Sequence, residues 1–164
     1  MITQDRLKEL LHYDPETGAF TWKDDRKGRV KKGAEAGRIA ANGYVRITID
    51  IEEYYAHRLA WICQFGHFPD CQIDHINHVR HDNRIENLRS CTHQENHRNM
   101  PITKRNTSGI VGVGWNKKLS KWQSLIMADG KNIHLGYYQN IGSAKAARKL
   151  AEYMYGYHEN HGAG

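Results

Sequence analysis

Three absences narrow this chain before any motif is read. Its three cysteines, Cys63, Cys71 and Cys91, are odd in number and unevenly spaced. That excludes a disulfide framework and points to a reducing compartment. No apolar run approaches the roughly 20 residues that a bilayer span needs, and the opening MITQDRLKELL is too charged for the apolar region of a signal peptide. The expected location is therefore cytoplasmic. Internal repeats and low-complexity tracts are missing too, which leaves an ordinary globular chain.

What is present is charge of one sign. The 164 residues carry a formal net charge of +6, with 26% charged residues and a pI near 9.2. Such a balance suits a protein that approaches polyanions, although charge alone does not separate DNA from RNA or from an acidic membrane surface. The length allows one medium domain or two small ones, so small modules joined by an exposed linker are expected.

The chemistry concentrates in residues 72–99, QIDHINHVRHDNRIENLRSCTHQENHRN. Asp74 and His75 lie on one short β-type run, and Asn87, Leu88 and Arg89 on a second. Thr92 followed by Glu95 is a capping box, which places Asn96 one turn into a helix, on the face of His93 and Asn99. A β-β-α unit thus offers a carboxylate, an imidazole and a carboxamide. Hard oxygen donors suit Mg²⁺, which takes few protein ligands and completes its octahedron with water and phosphate oxygens. A neutral imidazole beside such an ion takes a proton from water. Zinc is the competing reading, since His78, His81, His93 and His97 have usable spacings, but the stretch has no Cys-x-x-Cys knuckle.

This stretch resembles the ββα-metal motif of HNH endonucleases, in the Asp-His, Asn, Asn form found in phage and intron-encoded homing endonucleases. The resemblance implies Asp74 as a metal ligand, His75 as the general base, Asn87 as the catalytic-motif residue that pins the loop between the strands, and Asn96 as the second ligand. The last position is His in the pattern that names the family and Asn here. A carboxamide oxygen still ligates a hard cation, so the implied cofactor is Mg²⁺, with Mn²⁺ as the alternative.

Upstream, residues 3–12 read as a short helix with Thr3 as N-cap and Leu7, Leu10 and Leu11 on one side. Residues 13–23 read as a turn and strand in which Phe20 and Trp22 alternate. The following glycine-rich loop carries Arg26, Lys27, Arg29, Lys31, Lys32 and Arg38. By composition it is a solvated loop; beside a nuclease core, its cations can track phosphates. Residues 44–51 read as one strand, with Val45, Ile47, Ile49 and Ile51 on a buried face and Arg46 on the other as a candidate DNA contact. Residues 55–65 read as a helix bearing Leu59, Ile62 and Cys63, ended by Gly66 and Pro69. The order GYVRI, AHRLAW, DH extends the resemblance to phage HNH endonucleases, with His57 expected to pack and Arg58 to support phosphate.

Residues 99–109 lack periodicity and carry Lys104 and Arg105, so the domain boundary is expected there. Beyond it, residues 110–115, 122–127 and 133–138 read as strands, the last two joined by an Asp129-Gly130 hairpin. A helix over residues 143–155 has Ala144, Ala147, Leu150, Ala151 and Met154 as its apolar stripe. GVGWNKKLSKWQSLI, HLGYY and AKAARKLAE resemble the AP2 DNA-binding domain, which implies that the sheet contacts DNA. Its candidates are Trp115, Lys117, Lys121, Trp122 and His134. Gly114 and Trp115 stand where the plant form has Arg.

The expected architecture is α+β: an HNH nuclease domain over residues 1–99, a linker over 100–109 and an AP2-like module over 110–164. The implied function is a metal-dependent homing-type endonuclease that nicks or cuts double-stranded DNA as a monomer, in a bacterial host cell if phage-encoded. The alternative is a non-catalytic DNA-binding regulator on the same scaffold.

Overall fold

The computed structural model describes residues 2–100 and 102–162, without the side chains of Gln94 and His97. The chain divides into two compact units, Met1–His93 and Gln94–Gly164, and both mix helices with small antiparallel sheets.

In the first unit, Thr3 caps α1 (Gln4–Leu10), its Oγ1 accepting the Arg6 N–H at 3.2 Å. The helix stops short of the expected residue 12 because Leu11 opens β1 (Leu11–Tyr13), which pairs with β2 (Phe20–Trp22). Leu11 lies opposite Trp22 in that ladder, and both are buried. A second sheet follows in the order β3 (Arg38–Ile39), β4 (Val45–Ile49) and β5 (Glu52–Tyr55).

The single strand expected through Ile51 is thus two strands. Asp50 and Ile51 both adopt positive φ, 46° and 70°, and make a tight turn at which Ile51 is 99% exposed. Alternation of apolar residues carries no mark of where the chain reverses. Here pairing with β5 overrides the strain of a β-branched residue in the left-handed region.

α2 (Ala56–Phe65) packs Leu59, Ala60 and Ile62 against Leu7, Leu11, Phe20, Ile47, Ile49 and Leu88, forming the unit's core. The N–H of Gly66 closes the helix on Ile62 O at 2.9 Å, and Gln4 Nε2 donates to Ile62 O and Cys63 O at 3.0 Å each. The last sheet pairs β6 (Gln72–His75) with β7 (Leu88–Cys91), so that Asp74 faces Arg89 and His75 faces Leu88.

The division between the units falls within α3 (His93–His97), ahead of the segment expected to be a linker. Asn99 is buried, and the tail pairs with this region through His158 N–H to Arg98 O at 3.4 Å and Gly162 N–H to Met100 O at 2.9 Å. Further on, Ser108 Oγ donates to Val113 O at 2.6 Å and Asn106 Nδ2 to Ile110 O at 2.8 Å. Side chain to backbone bonds order this aperiodic stretch, which a pattern of apolar residues does not reveal.

β8 (Val113–Asn116), β9 (Lys121–Ala128) and β10 (Lys131–Tyr138) form an antiparallel sheet with β9 in the middle, and α4 (Ile141–Met154) packs on it. Asn140 caps α4, its Oδ1 accepting the Ser143 N–H at 2.8 Å. The buried face of α4 differs from the expected stripe. It carries Ala144, Arg148, Ala151 and Glu152, while Leu150 and Met154 are exposed.

Polar partners explain the rotation. Arg148 Nε donates to Glu152 at 2.9 Å, Nη1 to Leu125 O at 2.5 Å, and Nη2 lies 3.2 Å from His161 Nε2. A buried guanidinium with its donors met is tolerated, and one left unmet is not. Gly112, at φ +75°, makes the approach feasible: a Cβ there would lie 2.3 Å from Leu125 O and 2.7 Å from Arg148 Nη1.

Burial pushes the His161 imidazole down to about 4, against the attraction of Glu152 and reinforced by Arg148 and Lys149. A histidine depressed below its ordinary 6.5 stabilises the fold fully above that value and loses the contribution as pH falls toward 4. Thermal melting of the full chain between pH 7 and 4 should therefore show an acid-linked loss of up to roughly 3 kcal/mol from this residue. His161→Gln should remove that portion of the pH dependence. A variant with the parental pH profile would remove His161 from the account.

Candidate active site

The loop from Ile76 to Asn87 is held by a clasp of side chains onto its own backbone. Asn87 is buried; its Oδ1 accepts the Asn77 N–H at 3.0 Å and its Nδ2 donates to Asp82 O at 2.8 Å. Asp82 Oδ2 accepts from Asn77 Nδ2 and Arg84 Nη2, each at 2.7 Å, and Oδ1 accepts from Arg84 Nε at 2.9 Å. The Arg84 guanidinium above all, aided by Asn77, holds the Asp82 carboxyl at about 2. The β1–β2 turn supports the loop from outside: Tyr13 OH donates to Asn83 O at 2.8 Å and Ile85 N–H to Pro15 O at 3.2 Å. Gly18, at φ +75°, lets that turn approach, since a Cβ there would lie 2.5 Å from Arg84 N.

At the end of β6, His75 is only 4% exposed. Its Nε2 lies 3.5 Å from Asn83 Oδ1, and the same amide donates through Nδ2 to His81 O at 3.2 Å. That second bond orients the amide with its oxygen toward the ring. In that arrangement the tautomer with its proton on Nε2 is the one that can donate to Asn83. Burial holds His75 below the ordinary histidine value, against the raising influence of Asn83, Asp74 and Asp82. A neutral imidazole of this kind can accept a proton at neutral pH. Around it stand Tyr44, from the turn before β4, and His57, from the first turn of α2. Burial pushes His57 down to about 3, so it is uncharged.

Asp74, with a side chain 11% exposed, is oriented by Arg89: Nε and Nη2 both donate to its Oδ2, at 3.1 and 2.9 Å. A positioned carboxylate suits a hard ion that takes one or two protein oxygens and keeps its waters. A zinc cage is a different matter, since among the described residues no group of three His, Cys, Asp or Glu is placed to hold a metal. Of the histidines considered for zinc, His97 has its side chain outside the described residues. Asp74, His75 and Asn87 share the first unit, whereas Asn96 lies half-buried on α3 in the second.

The candidate DNA contacts are dispersed. Arg29 is exposed in the basic loop, Lys31 Nζ pairs with Asp25 at 2.8 Å, and the Lys32 N–H donates to the same carboxylate at 2.9 Å. Arg46 pairs with Glu53 at 2.6 Å and donates to Tyr55 OH at 3.2 Å; Arg58 is exposed with its guanidinium over Phe68. Lys104, Arg105 and Lys117 are exposed in turns of the second unit. Register places Trp115 opposite Trp122, with parity on the side of buried Ser124 and Ile126, although Trp115 is half exposed. Lys121 and His134 take the opposite parity, where His134 packs on Tyr137. Asn83, Asp82 and Tyr44 were absent from the expected site. The HDN triplet of residues 81–83 is the one local signal for the first two; only the fold brings in Tyr44.

Residues 54–98 match the HNH endonuclease family, a span running from β5 through α3 and containing Asp74, His75, Asn87 and Asn96. Over 76 residues the chain is 36% identical to Protein 3.8 of Escherichia phage T7, a stretch covering 46% of this chain and 63% of that protein. The chain thus spans less than two thirds of that relative's length. No solved structure matches.

Replacing Asn87 by Ala strands the Asn77 N–H and the Asp82 carbonyl, so it should destabilise the first unit by on the order of 1–3 kcal/mol. Thermal or urea unfolding of the variant checks this. Parental stability would mean that the two bonds are dispensable and that the loop is held elsewhere.

Proposed function

We propose that the protein is a metal-dependent endonuclease that hydrolyses a DNA phosphodiester, with His75 as general base and Asp74 as a metal ligand. The observation that carries the reading is the setting of His75: buried, held below the ordinary histidine pKa by that burial and placed beside Asn83, within a stretch that matches the HNH endonuclease family. Asp74 would hold Mg²⁺ or Mn²⁺ through a hard carboxylate oxygen, and the resemblance adds Asn96 from α3. When bound, the ion supplies charge stabilisation for the pentacovalent phosphate and the departing 3′ oxygen. His75 removes the proton from the attacking water, Asn83 lies against the Nε2 side of its ring, and Arg89 keeps Asp74 aimed.

The partner is double-stranded DNA, bound by a monomer. The family match supports a nucleic-acid substrate, and the likeness to a phage protein supports a phage-encoded enzyme acting in the bacterial cytoplasm. No helix of the described residues is long and apolar enough to cross a membrane. We read the second unit, three strands covered by a helix, as an AP2-like module on the strength of its sequence resemblance, and assign DNA contact to the sheet face bearing Lys121 and His134, with Lys117 beside it. A single base and a single carboxylate serve one strand, so a monomer nicks, and a double-strand break needs a second chain or a second event. The sequence resemblance to phage and intron-encoded enzymes supports a homing role.

Plasmid nicking in the presence and absence of Mg²⁺ is the test. The protein should nick only with the ion, and His75→Ala should slow cleavage by at least ~10²-fold while leaving DNA affinity nearly unchanged. Asp74→Asn should shift the Mg²⁺ titration to higher concentration. Tight DNA binding with no nicking under any divalent ion would establish the non-catalytic regulator instead.

A further inference from the structure

We infer that Tyr44 and His57 form a seat that sets the ring orientation of His75, making both of them positioning residues for the base. This rests on the nuclease reading and adds to it the question of what holds the base still.

A buried imidazole has one soft torsion left once its backbone is placed, the rotation of the ring about Cβ–Cγ. That rotation decides where Nδ1 points. The contact from His75 Nε2 to Asn83 Oδ1, at 3.5 Å, is at the outer limit of a hydrogen bond and by itself resists the rotation weakly. Ring contacts add to that restraint. The His57 ring meets His75 edge to face, with centroids 5.1 Å apart and planes at 82°. Tyr44 meets His75 at 5.7 Å and 56°, and His57 at 5.2 Å. Tyr55 closes the group, 5.4 Å from each of Tyr44 and His57. The edge-to-face contact with His57 is directional because the positive ring edge seeks the negative face, so turning the His75 ring would break it and disturb the tilted contact with Tyr44.

The seat is itself braced. Arg80, from the clasped loop, lies over the Tyr44 ring at 5.1 Å and donates through Nη1 to Asn42 O at 2.9 Å. Tyr44, His57 and His75 therefore come from three separate elements, and a residue of the loop beyond β6 fixes the first. One local rule is broken here: His57 is 8% exposed and its Nδ1 has no hydrogen-bond partner. A buried polar atom left unmet beside a reactive side chain is where a functional constraint outweighs stability.

The experiment uses the full chain, supercoiled plasmid and Mg²⁺, with Tyr44→Leu, Tyr44→Phe, His57→Leu and His57→Phe, each alone and combined with His75→Ala. Leucine at either position should lower kcat at least ~10-fold with KM for DNA unchanged, the scale expected when a reacting group is slightly misplaced. Phenylalanine, which restores the ring, should keep kcat within about threefold of parental. In the His75→Ala background, neither leucine should slow the residual cleavage further, because no base remains to be oriented. Melting temperatures identify variants whose loss merely follows unfolding, and such a loss overturns the seat, as does parental kcat in the leucine variants or an equal loss with and without His75. If the parental protein does not nick at all, the nuclease reading fails first.

Discussion

Everything proposed for the first unit depends on the Asn87 carboxamide. It spans the mouth of the β6–β7 loop, accepting from Asn77 at one end and donating to the Asp82 carbonyl at the other. A loop of this length, left to itself, samples many conformations, and each residue fixed costs on the order of 1–2 kcal/mol of backbone entropy. Two buried amide bonds, together with the Asp82–Arg84 and Asp82–Asn77 contacts, offset part of that. The consequences spread outward. Asn83 is brought to His75, Arg80 to Tyr44, and the loop's outer side meets the β1–β2 turn at Gly18. The clasp therefore sets which groups surround His75.

Electrostatics separates two kinds of cation in this chain. Arg89 on Asp74 and Arg148 on Glu152 are paired at low exposure, where losing one partner leaves an uncompensated charge and is strongly destabilising. Arg38 and Arg46 on Glu53, Lys31 on Asp25, and Arg6 on Asp50 and Glu9 are exposed pairs, each contributing little to stability. An exposed pair is also one that a phosphate can replace at small cost. The paired basic side chains thus divide into a fixed set, which holds the fold, and an exchangeable set, which suits a polyanion.

The second unit shows how polar partners choose a helix face. Counting apolar residues puts Leu150 and Met154 of α4 inward, yet Arg148 and Glu152 are buried in their place. A guanidinium with partners on a strand carbonyl, a carboxylate and an imidazole satisfies its donors in the interior. The same group turned outward would leave the Leu125 carbonyl and the tail histidine without it. Partner geometry, which spans residues 112 to 161, outweighs the small apolar gain from burying a leucine.

Much was legible from local pattern because its physical cause is local. The cap at Thr3, the Asp129-Gly130 hairpin, the end of α2 at Gly66 and the two short runs around Asp74 and Arg89 follow from turn chemistry, capping and period-2 alternation over a few neighbouring residues. So does the presence of a carboxylate, an imidazole and an amide in one stretch, and that stretch matches the HNH endonuclease family. What tertiary structure alone decided involves partners distant in the chain. The reversal at Asp50-Ile51, the order within residues 99–109, the rotation of α4, the pairing of Arg46 with Glu53, and the convergence of Tyr44, His57 and Asn83 on His75 have no local signature. Each is set by which groups from other elements satisfy a charge, a hydrogen bond or a ring face, and that information resides in the packed chain rather than in any window of its sequence.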